Sequence, residues 1–231
     1  MARPFILPFR ALSKPERIPR RLRTGHRAGH SKNVEKWRLL RVDRDFKVST
    51  IKQLLVSTMG KVSLRDEIFT LIYSRNRVDE AILRLNVMIK AAPENSEAIA
   101  LKAYSLNKLA NIRHEWKYSG HALDYAERAL ALNPNHDIAL TSKGWALIDL
   151  GRAREAVVVL EQATRVNSGN EWAWYNLAWA QYLSGNAPAS SESITTALAI
   201  NPNNPILQRG KEMMGKGEVP SHLKARNLTH G

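Results

Sequence analysis

One spacing constrains this chain more than any other property of it. The segments ALALNPNHD, ATRVNSGNE and ALAINPNNP end alike, and their Pro134, Ser168 and Pro202 stand 34 residues apart in two consecutive steps. A fixed period of that length marks a stacked-repeat architecture, in which each unit buries its apolar face only against its neighbours. An upstream copy, VMIKAAPENSE, sets Pro93 41 residues before Pro134, so one unit is longer than the rest.

Small residues keep the same phase. Ala81, Ala122, Ala156 and Ser190 align, as do Ala129, Ala163 and Ala197; Ala103, Gly144 and Ala178 join them once the insertion is allowed for. Side chains of this size recur where two helices must approach closely, with Leu, Ile and Val filling the rest of the seam. Each unit reads as two helices of about three to four turns with a polar break between them. In the third, DIALTSKGWALIDLG is followed by REAVVVLEQATRVN, with Gly151 at the first helix's C-terminal boundary. Gly185 plays that part in the fourth, and Pro188 suits the first turn of the helix after it.

This pattern resembles the tetratricopeptide repeat (TPR), whose signature is W-x2-L-G-x2-Y, then A-x3-F, then P. Trp174, Leu177 and Ala178 match the opening, with Gln181 in place of Tyr, and Ser190, Ile194 and Pro202 stand for Ala, Phe and Pro. The third unit supplies Leu140, Gly144, Leu147, Ala156 and Leu160, and has Ser168 where Pro belongs; the first has Arg65 at the Trp position. The resemblance implies an all-α, right-handed superhelical solenoid of about four 34-residue helix-turn-helix units over residues 61–204. The units divide as 61–95, 96–136 with the insertion, 137–170 and 171–204. Residues 205–231 are then a C-terminal capping helix, PILQRGKEMMG, and a tail; 32–60 form a helical N-terminal cap; and 1–31 form a basic, flexible arm.

The net charge of +14 suggests nucleic acid until it is divided along the chain. Residues 1–60 carry 15 Lys and Arg against 4 Asp and Glu, which leaves only +3 for everything after them. Arg17, Arg20, Arg21, Arg23 and Arg27 concentrate this charge in the arm, where they suit RNA phosphates, an acidic protein or anionic lipid, or serve only as a solubilising tail. The apolar run FILPF is too short for a secretory core, and no run approaches a membrane span of roughly 20 residues. A cytoplasmic location is expected, with the basic N-terminus leaving organellar import open.

Catalytic motifs fail on inspection. Cysteine is absent, which removes thiolate nucleophiles and Cys-ligated zinc. GKEMMGKG nearly spells a phosphate loop, but Gly217 stands where a magnesium-binding hydroxyl is needed and Pro220 follows closely. His26 and His30 have zinc-ligand spacing only on a helix, which Gly25 and Gly29 oppose. No enzyme, cofactor or metal is expected.

The densest aromatic stretch, EWAWYNLAWAQYLSG, is the first helix of the fourth unit. On a 3.6-residue period Trp174, Leu177 and Ala178 face the core, whereas Trp172, Tyr175, Trp179 and Tyr182 share another side. By resemblance to the family, that side lines the concave surface, joined there by Trp145 and Ile148 from the third unit and Tyr104 from the second. The corresponding first-unit positions are Ser63, Asp66, Thr70, Tyr73 and Ser74, so the groove should be polar toward its N-terminal end. No Lys or Arg lies between Arg165 and Arg209, which disfavours a base-stacking platform, since such surfaces carry cations for phosphate.

The expected partner is a protein presenting an extended or helical apolar segment, bound by a non-enzymatic adaptor that promotes assembly of a multiprotein complex. The alternatives are a ribonucleoprotein subunit tethered by the arm, or an accessory subunit of an enzyme. Filling of the groove by the arm of this same chain competes with all three. The insertion, read as a loop between two helices, brings Arg113, Trp116, Lys117 and Tyr118 to a rim as a second contact point, unless Trp116 merely packs on its neighbours.

Overall fold

The computed structural model describes residues 63–220 apart from Arg75, together with Leu223. The arm and the N-terminal cap expected at 1–31 and 32–60 lie outside them. Every regular element among the described residues is helical. Helix α1 (Leu64–Phe69) runs into a π turn (Thr70–Ser74) and is followed by α2 (Val78–Ala91), α3 (Ser96–Arg113), α4 (Lys117–Leu132) and α5 (Asp137–Asp149). Then come α6 (Ala153–Val166), α7 (Glu171–Leu183), α8 (Ala187–Ile200) and α9 (Pro205–Gly215). Odd and even helices pair within the second to fourth units, α2 packs on the π turn and on α3, and each odd helix also packs on the next, giving an all-α TPR solenoid in which α9 closes the last unit.

The turns between units explain the repeated Asn-rich loops. The N–H groups of Asn95, His136, Asn170 and Asn204 each donate to the carbonyl three residues back, at 3.1–3.3 Å. Ser168 therefore replaces proline without altering the turn. Ser63, Asn95, Asn170, Asn186 and Asn204 then accept from open N–H groups of the helices they precede, contacts worth about 1 kcal/mol each. The breaks inside units fall at Asn76, His114, Gly151 and Gly185, all with φ between 47° and 84°. This left-handed region is one that Gly enters without strain and Asn or His enters more readily than most residues.

The insertion is helical, not a loop. It lengthens α3 to 18 residues and α4 to 16, where the helices of the next two units have 13 or 14. Asn111 to Arg113 end α3 and Lys117 begins α4, so only a short turn separates them.

Packing follows the small-residue phase. Ala81, Ala122, Ala156 and Ser190 are buried, as are Ala129, Ala163 and Ala197 and also Ala103 and Ala178. At Gly144 the approach is closest: a methyl group there would lie 2.3 Å from Cγ of Leu160, itself fully buried. Gly144→Ala should cost about 1–3 kcal/mol by overpacking this seam, read as a lowered midpoint in urea denaturation followed by circular dichroism.

The departure at Arg65 also has a structural use. Its guanidinium donates to both oxygens of Glu97 at 3.0 and 3.2 Å and to both oxygens of Asp137 at 3.1 Å, tying α1 to α3 and α5. His136 Nε2 lies 2.9 Å from Glu97, and the side-chain amide of Asn167 donates to Asp137 at 3.0 Å. Burial alone would raise the Glu97 pKa, but hydrogen bonds from His136 and Arg65 outweigh it and hold the carboxyl at about 2. A carboxyl depressed below its unfolded value of about 4.3 stabilises the fold above that value, and the contribution is lost as pH falls through the folded pKa. Arg65→Gln should therefore cost about 1–2 kcal/mol near neutral pH, with partial exposure limiting the loss. The gap to the parent protein should close between pH 4.5 and 2, measured by urea titrations at pH 7, 4 and 2.5.

Candidate protein-binding groove

The face shared by α1, α3, α5 and α7 carries a continuous aromatic surface. On α7, Trp172, Tyr175, Trp179 and Tyr182 recur at three- and four-residue spacing, which stacks them along one side of the helix. Their rings meet edge to face, with interplanar angles of 85–88° and centroids 5.8–6.4 Å apart. This is the arrangement that the ring quadrupole favours over a face-to-face sandwich.

The run does not stop at the fourth unit. Tyr73 of the first unit lies nearly parallel to Trp172, at 13° and 6.4 Å, so the two ends of the repeat array meet across the concave face. Tyr73 sits in the π turn, where the Arg77 N–H reaches back to the Leu71 carbonyl at 2.8 Å; such wide turns are frequent at functional sites. Phe69 packs 5.1 Å from Tyr104, and Tyr104 packs 5.8 Å from Trp145, which extends the surface through the second and third units. The hydroxyls of Tyr73 and Tyr104 also hydrogen-bond to each other.

These side chains enclose a cleft of about 110 Å³. Of the residues singled out from the sequence, Tyr104, Trp145, Ile148, Trp172, Tyr175 and Trp179 line it together. Tyr182 lies behind Trp179 and does not reach the cleft. Tyr104 and Trp179 are each only 4% exposed, so their own chain already covers them. Trp174, assigned to the core, is half-buried and donates its indole N–H to the Ser168 carbonyl at 2.9 Å.

Two further lining residues stand at groove offsets of the repeat phase, Tyr73 in the first unit and Lys108 in the second. Lys108 places its ammonium 5.0 Å over the Tyr73 ring, and burial lowers its pKa. Asn111 falls within the insertion, and Pro220 and Leu223 lie beyond the last repeat, where no phase predicts a position. Burial likewise raises the pKa values of Tyr73, Tyr104 and Tyr175, which keeps their hydroxyls neutral.

The second candidate cluster forms around the start of α4. Trp116 is 64% exposed, and Arg113 donates to both oxygens of Asp79 at 2.8 and 3.1 Å and to the Tyr118 hydroxyl at 3.0 Å. Lys117 pairs with Glu115 at 2.5 Å. These residues line no part of the aromatic cleft. The arm residues Arg17, Arg20, Arg21, Arg23 and Arg27 lie outside the described residues.

Comparison with known proteins agrees with this geometry. Sequence models described as "Tetratricopeptide repeat" match residues 147–213 and 103–136. A curated relative from Mycosarcoma maydis, the small glutamine-rich tetratricopeptide repeat-containing protein 2, is 26% identical over 109 residues; the match spans 47% of this chain and 31% of that protein. Among solved structures, TTC0263, a thermophilic TPR protein of Thermus thermophilus, superposes with a TM-score of 0.57 over 80% of this chain and 96% of its own, at 16% identity. MamA from Desulfovibrio magneticus RS-1 does so at 0.50, covering 72% and 89% of the two chains at 20% identity. Residues 103–136 and 147–213 thus carry tetratricopeptide repeats, and the fold around them is that of a TPR solenoid, the architecture of protein-interaction scaffolds.

The contact between Tyr73 and Trp172 makes a specific energetic claim. A double-mutant cycle of Tyr73→Ala and Trp172→Ala should give a coupling of about 0.5–1.5 kcal/mol in equilibrium unfolding. Additive effects would mean that the two ends of the array do not meet in solution.

Proposed function

We propose that this chain is a non-enzymatic adaptor that binds an apolar protein segment on its concave aromatic face and so promotes assembly of a larger complex. One observation supports this reading most: the π turn after α1 and the first helices of the other three units turn aromatic rings toward a single cleft. Rigid aromatic side chains of this kind dominate protein-binding hot spots, because they bring large contact area at little entropic cost. Among the described residues, Lys108 is the one Lys or Arg lining that cleft, which suits an apolar segment better than a phosphate backbone. No described helix is long and apolar enough to cross a membrane.

The +11 carried by residues 1–60 favours a second reading, tethering to RNA in a ribonucleoprotein. Affinity capture with mass spectrometry separates the two. Proteins held by the groove should survive nuclease treatment and be lost from a Trp145→Ala/Trp172→Ala variant that keeps its helical circular dichroism. Each truncation should weaken binding by about 2 kcal/mol, roughly thirtyfold. Retention unchanged in the variant would overturn the groove reading, and loss on nuclease treatment alone would favour RNA.

A further inference from the structure

After α9, residues 216–220 and Leu223 stay against the solenoid. Gly217, at φ 72°, turns the chain, and the Glu218 N–H closes the turn on the Met213 carbonyl at 2.8 Å. Val219 then packs against the cluster around Trp179 and Leu147, and Leu223 is buried in it, only 4% exposed. The Leu223 N–H donates to the Pro220 carbonyl at 2.9 Å, which ties together two residues that both line the aromatic cleft.

This segment is not needed to cap the repeats. Helix α9 already does so through the fully buried Leu207 and through Gly210, where a methyl group would lie 2.5 Å from the Tyr175 ring. The space left beside the tail is too small for a partner. A cleft of about 110 Å³ has room for about one side chain, whereas sites that hold a ligand run to about 300–1,000 Å³. A peptide segment enters only where the tail has withdrawn.

We propose that the segment carrying Val219, Pro220 and Leu223 is the resident occupant of the groove, and that the partner segment is one of the same chemistry which displaces it. That chemistry is a β-branched residue followed by proline, with a leucine four positions after the first, as in Val219-Pro220-x-x-Leu223. The inference rests on the groove reading above and adds to it the occupant and a latch. Because the tail is tethered, its effective concentration at the groove is of millimolar order, so free segments bind the closed protein weakly. A partner able to expel the tail gains the whole aromatic face.

The test uses the full-length protein and a fluorescein-labelled peptide, KGEVPSHLKARN, copied from residues 216–227. A Leu223→Asp protein should bind this peptide at least about tenfold more tightly than the parent protein in anisotropy titrations. The same peptide carrying Leu223→Asp should bind neither protein. Tryptophan emission of the variant should shift to longer wavelength as Trp179 is uncovered and return when the peptide is added. Leu223→Met, which keeps the apolar contact, should behave like the parent and so separates displacement from misfolding.

Equal peptide binding by both proteins, or binding that ignores the Leu223→Asp change in the peptide, would overturn the proposal. So would a parent protein of doubled mass that becomes monomeric on Leu223→Asp, because the tail would then sit in a second copy. If the Trp145→Ala/Trp172→Ala variant loses its partners while Leu223→Asp changes nothing, the latch fails and the groove reading stands.

Discussion

The closeness with which paired helices approach at their small residues decides what the rest of the chain can do. Gly144 against Leu160, and alanine or serine at matching positions in the other units, bring each odd helix against its even partner. Interiors pack at crystal-like density, so this spacing leaves little freedom for the helix pairs to slide. With the even helix occupied on one stripe, the other stripe of each odd helix is free to build a common face. Side chains there answer to the cleft, not to the pair, and this is where the aromatic residues collect.

That face is partly core and partly surface. Trp179 and Tyr104 are buried by their own chain, while Trp145, Trp172 and Tyr175 remain half-buried around the cleft. The edge-to-face order along α7 holds each ring in place before any partner arrives, which reduces the entropy lost on binding. Lys108, desolvated over Tyr73, brings a positive charge to a lining that also holds Asp149, Asn111 and Asn176, so polar anchors are interleaved with the aromatic rings.

The repeats were legible because they are periodic: spacing located the pairs and the turns, and resemblance to the family then pointed to the six aromatic or aliphatic residues that share the cleft. Three features were not. Arg65 looked like a defect at the signature tryptophan position because its partners, Glu97 and Asp137, belong to two other units. The insertion looked like a loop because the residues that extend α3, Asn111 to Arg113, are exposed and lead into the left-handed His114, so no buried stripe marks them as helical. Leu223 carried no signal at all, since a lone leucine beyond the last repeat has no phase to compare with.

The irregular second unit has a consequence for how such a chain finds its own order. Units that share a period and a packing stripe are interchangeable in principle, and repeat arrays are prone to pair out of step or to exchange units between molecules. Helix α3, longer than its counterparts by about an extra turn, fits against α4 and against no shorter second helix equally well. Arg65 adds a second key, because Glu97 and Asp137 both stand at the right height only when the first three units stack in sequence. The departures from the repeat thus act as register marks.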